Sequence, residues 1–278
     1  MNLNKFNQLV EGGKAVGEVD RIAKSEIEPT MKQIKKQVLD KIGIKNFGPI
    51  GSVGKKESSG DLDIAVEIPE GMEAKDIHKK VEELGFDKSK GVSPSLLSFK
   101  FPIYDDKGKT DKWCQVDLMF GKKDWLEFGY WAPGETESKY SGAHRNMLMA
   151  AIIRYAREMA GKSGKTWAVD INKGISRKTR GTITDKKGQE KEGVIAKTMI
   201  TDNPEKVVKL LNIATNGNWT VGDFNQPFEK LWQKTKKVFP KDVLEKIKTY
   251  VEQATTSSKK EVPAMEQILR SIRSKLHE

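Results

Sequence analysis

Asp61 and Asp63 open an alternating segment, Asp-Leu-Asp-Ile-Ala-Val, near the end of the stretch from Gly51 to Glu67, GSVGKKESSGDLDIAVE. Residues two apart in a strand share a face, so both carboxylates point one way while Leu62, Ile64 and Val66 point into a core. Two carboxylates on one strand face repel each other unless a cation lies between them. Hard oxygen ligands suit Mg2+ or Mn2+ rather than zinc. Just upstream, Gly51 and Ser52 open a turn, and a polar, basic loop runs from Gly54 to Gly60. Its backbone N–H groups, the Ser52 hydroxyl and the charges of Lys55 and Lys56 suit a triphosphate. A third carboxylate follows the same grammar. From Trp113 to Phe120, Cys114, Val116, Leu118 and Phe120 alternate with Gln115, Asp117 and Met119. Three convergent carboxylates can hold two metal ions, and two ions can activate a hydroxyl and stabilise a leaving pyrophosphate.

This ordered set of Gly-Ser, a short loop, Asp-x-Asp and a distal third Asp resembles the palm signature of the DNA polymerase beta nucleotidyltransferase superfamily. ESSGDLD is especially similar to the family X DNA polymerases. The resemblance implies an α+β fold: a mixed-sheet palm with helices on one face, a thumb-like region and a helical C-terminal tail. It implies two Mg2+ or Mn2+ ions, with Asp61 and Asp63 bridging both and Asp117 holding the ion that activates the attacking hydroxyl. It places Gly51, Ser52, Gly60 and Lys55 or Lys56 at the phosphates of an NTP or dNTP. Lys139 to Ala160 is similar to the family's thumb opening, where an aromatic-hydroxyl-Gly turn leads into a helix. By that likeness Tyr140, Ser141 and Gly142 sit by the sugar and Asn146 contacts the nucleotide. One helical turn further on, the family's template-touching arginine is replaced by Ala150, which counts against templating. The similarity runs over about residues 40 to 213 and leaves out the family's helix-hairpin-helix and lyase regions.

With 278 residues the chain can bury one large core or two modest ones. Its net charge of +11 favours a polyanionic partner, nucleic acid first. Arg145, Arg177, Lys178 and Arg180 are candidate backbone contacts. The single cysteine, Cys114, excludes an internal disulfide and falls on an apolar face, as a buried thiol would. The three histidines are scattered and make no zinc site. No apolar leader opens the chain and no run is long enough to span a bilayer, so a soluble, cytosolic protein without a membrane partner is expected.

The elements that must position these residues follow in order. Residues 1–43 read as a helical lead-in, with Met31, Ile34, Val38 and Ile42 at helical spacing and Pro29 near the start. Residues 44–135 form the palm: a strand at Phe47 to Ile50, a helix from Ala74 to Leu84, and a hairpin of Leu96 to Tyr104 with Lys112 to Phe120. Residues 136–215 are thumb-like. They hold an apolar helix from Met147 to Met159, a two-stranded pattern turning at Asp185 to Gly188, and a helix capped by Thr201 or Asp202. Residues 216–278 form a helical tail, with helices around Phe228 to Val238 and Val243 to Val251, a linker at 255–260 and a last helix around Ile268 to Leu276.

The expected activity is transfer of a nucleoside monophosphate to a DNA or RNA 3′-OH with release of pyrophosphate, as a reduced polymerase or a terminal or RNA-end transferase. Related alternatives use a tRNA end, a small molecule or a protein hydroxyl as acceptor. An alternative of another class is a catalytically inactive nucleic-acid-binding module on the same fold.

Overall fold

Strand alternation builds the first half of the chain. The computed structural model describes residues 15–134, 136–138, 140–160, 165–184 and 188–256, and within these the protein is a mixed α+β chain. It parts into two compact units at residues 139–140.

The first unit is a sheet of order β2-β4-β6-β5, made of Phe47–Pro49, Asp61–Val66, Gly108–Phe120 and Leu96–Asp105. β4 and β6 run parallel at its centre, while β2 and β5 pair antiparallel on either side. Leu62, Ile64 and Val66 on β4 and Cys114, Val116, Leu118 and Phe120 on β6 all enter one core. Phe99, Phe101 and Leu97 of β5 join them from across the ladder.

Helix α1, Lys24–Ile34, continues through a π-helical stretch, Lys35–Leu39, into a last turn, Asp40–Ile42. It delivers Ile27, Ile34, Val38, Leu39 and Ile42 to that core, and α2, Ala74–Glu83, adds Ile77 and Val81. A third helix, α3, Lys123–Gly129, corrects the expectation of helices on one face alone. Its Leu126 packs with Ala65, Met119 and Ile50 on the opposite face, the one that carries the aspartates further along the same strands.

The start of the unit departs from the helical expectation. Residues 15–21 form turns and coil, and β1, Ile22–Ala23, pairs antiparallel with β3, Ser58–Ser59, before the helix begins. Helix α1 begins at Lys24, so Pro29 lies inside it rather than at its start. Next to Pro29, Thr30 exchanges hydrogen bonds with the main chain of Tyr104 on β5, and Ile27 is buried, which offsets the N–H the helix loses there.

In the second unit, α4, Gly142–Met159, is apolar almost all round and buried, from Met147 through Ile153. The expected two-stranded pattern is a three-stranded antiparallel sheet of β7, Lys165–Asp170, β8, Gly174–Thr184, and β9, Glu190–Thr201. Helix α5, Pro204–Thr215, is capped by Asn203, whose Oδ1 accepts from the Lys206 N–H at 3.0 Å. The expected cap at Thr201 or Asp202 gives way because Pro204, lacking an N–H, fits the first helical position and fixes the cap just before itself. Helices α6, Val221–Phe224, α7, Phe228–Val238, and α8, Lys241–Thr256, complete the unit. The N-terminal residues 1–14, the turn at 185–187, the end of the expected linker and the last expected helix lie outside the described residues. No helix among the described residues is long and apolar enough to cross a membrane.

Candidate active site

The parallel register of β4 and β6 sets Asp63 directly beside Asp117 and Asp61 beside Gln115. Since residues two apart share a face, the three carboxylates converge, and one ligand oxygen from each lies within 4.8 Å of the others. Asp117 is buried, and Asp61 and Asp63 are half-buried.

Three acids this close cannot all ionise comfortably without a cation. Burial, then the charges of Asp61 and Asp117, raise the Asp63 carboxyl well above its ordinary value. Asp117 is pushed up to about 6, chiefly by burial and further by Asp61, against hydrogen bonds from Ser98 and Gln115 that favour its ionised form. Asp61 is raised by burial, with the Arg21 charge opposing. The donor set is all oxygen and carries excess negative charge. These residues fit a hard divalent cation.

Supporting side chains fix the acids. Gln115 Nε2 donates to both Asp117 oxygens, at 2.9 and 3.1 Å, while its Oε1 accepts from the Ala15 N–H. The main chain of Ile50 donates to Asp63 O at 3.0 Å, tying the loop entrance to β4. There Gly51 has φ +68°, and a Cβ at that position would stand 2.9 Å from Asp63 Oδ2. Only glycine meets both demands, the left-handed backbone and the close approach of a carboxylate.

The loop that follows curls through Gly54, also at positive φ, with the Lys55 N–H donating to Ser52 O at 3.1 Å. Lys55 Nζ donates to Ala132 O at 2.7 Å and lies 5.2 Å from the Trp131 ring centroid, so it braces the loop against the segment after α3. Lys56 is exposed, and Ser52 and Gly60 are half-buried.

Arg21 has no sequence signal that marks it. Its Nε donates to Ser58 Oγ and its Nη2 to Ser58 O, each at 2.9 Å, and its charge acts on Asp61. The short β1–β3 pairing alone brings it there. Gln115 and Ser98 did carry a signal: both are polar residues facing the side of the sheet opposite the core, and both register with an aspartate or its neighbour. Cys114 is fully buried, its thiol raised to about 12 by burial, as expected of a core thiol.

The remaining sequence-predicted residues lie in the second unit. Ser141 caps α4, its Oγ 2.8 Å from His144 Nδ1, and Gly142 opens that helix. Tyr140 is buried, with its ring 4.6 Å from that of Phe228. Arg145 corrects the expectation of a nucleic-acid contact. It is fully buried, Nε donates to Phe224 O at 2.6 Å, and Nη1 donates to Asn146 Oδ1 at 2.8 Å. Helical spacing explains the error, since position 145 is in phase with the buried Met149 and Ile152. Asn146 is buried beside it, and so is Ala150. Arg177 is exposed and Lys178 half-buried on β8, where Lys178 faces Lys197 of β9. Arg180 lies on the same strand, and its side chain is outside the described residues.

No protein-family model matches the chain, and no curated protein matches it.

Proposed function

We propose that the chain is a metal-dependent nucleotidyltransferase that moves a nucleoside monophosphate from an NTP or dNTP to a nucleic-acid 3′-OH and releases pyrophosphate. The observation that carries this reading is the convergence of Asp61, Asp63 and Asp117 on adjacent parallel strands beside a glycine turn. On this reading residues 44–135 act as a palm and 136–215 as a thumb, as the likeness to polymerase beta-like enzymes implies.

The three aspartates would hold two Mg2+ or Mn2+ ions. When bound, such ions lower the pKa of an attacking hydroxyl and neutralise charge on the departing pyrophosphate. Gln115 keeps Asp117 oriented and favours its ionised form. The Arg21 charge favours ionised Asp61 in the same way. Gly51 lets the loop approach Asp63, and Lys55 braces the loop; the loop amides, Ser52 and Lys56 would bind the triphosphate. The net charge of +11 supports a polyanionic acceptor.

The test is pyrophosphate release coupled to labelling of an oligonucleotide, with Mg2+ or Mn2+ and each nucleotide. Labelling that needs metal and vanishes in Asp63→Ala supports the proposal. Pyrophosphate release with labelling of a protein or small molecule moves the acceptor while keeping the chemistry. Oligonucleotide binding without any pyrophosphate release would mean an inactive binding module.

A further inference from the structure

The strand that carries Asp117 also carries an exposed tryptophan on the same face. Trp113 lies four residues before Asp117 and two before Gln115, so alternation points all three to one side of β6. At the usual strand rise it stands about 13 Å from Asp117. Trp113 is 37% exposed, while Trp125, Trp167, Trp219 and Trp232 are buried. Its ring has Lys109 Nζ at 5.2 Å and Lys100 Nζ at 5.9 Å from the centroid. Among the described residues neither ammonium has a carboxylate within ion-pair distance.

Lys100 registers with Gln115 across the ladder, between Trp113 and Asp117 on this face, and its ammonium reaches the Trp113 ring. The tryptophan's backbone is fixed at both ends: its N–H donates to Asp20 Oδ2 and its carbonyl accepts from the Asp20 N–H. A rigid aromatic surface with two lysine ammoniums beside it matches a base and its flanking phosphates. At about 3.4 Å per stacked nucleotide of one strand, 13 Å is roughly three to four nucleotides.

We infer that Trp113, Lys100 and Lys109 form the platform for the acceptor strand, a single-stranded nucleic acid whose base stacks on the indole and whose 3′ end reaches Asp117. This rests on the nucleotidyl-transfer reading for the role of the strand, though binding itself is measured apart from catalysis. A base entering over the ring displaces one ammonium toward the adjacent phosphate, so stacking and charge pairing occur together.

The experiment is fluorescence anisotropy of labelled single-stranded oligo-dT and oligo-rU of about 12 nucleotides, a length within usual footprints, titrated with protein in EDTA without nucleotide. Trp113→Ala is expected to weaken binding roughly tenfold. Lys100→Ala/Lys109→Ala is expected to lower the slope of log affinity against log salt by roughly 1.4. Circular dichroism checks that both variants fold. Wild-type affinity in the folded variants overturns the platform, and so does a wild-type protein that binds neither oligonucleotide at low salt. Pyrophosphate release is assayed in parallel. If it is absent while Trp113→Ala weakens binding, the transfer reading falls and the binding surface stands. If it persists with another acceptor while oligonucleotides do not bind, the platform falls alone.

Discussion

At the scale of single residues, the metal-free site is a concentration of unfavourable charge. Asp117 titrates at about 6 in the fold against an ordinary 3.8, and Asp63 is raised further by burial and by its neighbours. The contribution of Asp117 to metal-free stability is therefore fully present below 3.8 and is lost as pH rises through about 6, and Asp63, raised in the same direction, contributes with the same sign. A bound divalent cation reverses that loss. Mg2+ at about 100 times its dissociation constant should add about 2.7 kcal/mol at pH 8 and far less at pH 5, where the acids are protonated. Melting curves with and without Mg2+ at the two pH values check this, and an equal shift at both would contradict it. Asp63→Asn relieves the cluster, so the metal-free variant should be more stable than wild type at pH 8 by roughly 1 to 3 kcal/mol. The same variant should lose several kcal/mol of transition-state stabilisation, a rate loss of orders of magnitude that steady-state assays would register. Gly51→Ala places a Cβ 2.9 Å from Asp63 Oδ2 at φ +68°. It should cost about 1 to 2 kcal/mol of stability and reduce turnover together with it, whereas substitution of the exposed Lys36, in the π-helical stretch after α1, should do neither.

At the scale of elements, what was legible in the sequence followed periodicity. β4 and β6 were readable because Leu62, Ile64, Val66 and Cys114, Val116, Leu118 recur at every second position around Asp63, Gln115 and Asp117, and each set proves to be core. The convergence of the aspartates was readable for the same reason, once the two strands pair. What periodicity does not carry was missed. β1 is two residues long and pairs with a segment about 36 residues away, so nothing local marks it or the Arg21 that it positions. The extra strand β7 joins a sheet whose register depends on β8. Arg145 misled because charge is read as surface, yet helix phase buries it among apolar neighbours. There it links α4 to the carbonyl of Phe224 on α6. Arg145→Ala should accordingly destabilise the second unit by roughly 2 to 4 kcal/mol, from the lost hydrogen bond and a buried cavity. Folded Arg145→Ala should bind oligonucleotides as wild type does. Reduced affinity at unchanged stability would restore Arg145 to the nucleic-acid surface.

At the scale of the whole molecule, an acidic site sits in a chain of net charge +11. A protein with that balance attracts polyanions at low salt, and on the proposed function the local acids would need cations before a phosphate could approach. The affinity for nucleic acid should thus fall steeply with ionic strength, while transfer depends on divalent metal at every salt concentration. The measurement that tests the central claim most directly is incubation of labelled NTPs and dNTPs with oligonucleotides and Mg2+ or Mn2+, single-stranded and primer-template, DNA and RNA, beside Asp63→Asn. Nucleotidyl transfer is predicted for wild type, accompanied by pyrophosphate, abolished by EDTA and abolished in the folded variant. Transfer that survives in Asp63→Asn, or no metal-dependent pyrophosphate release with any nucleotide and acceptor, would contradict the account.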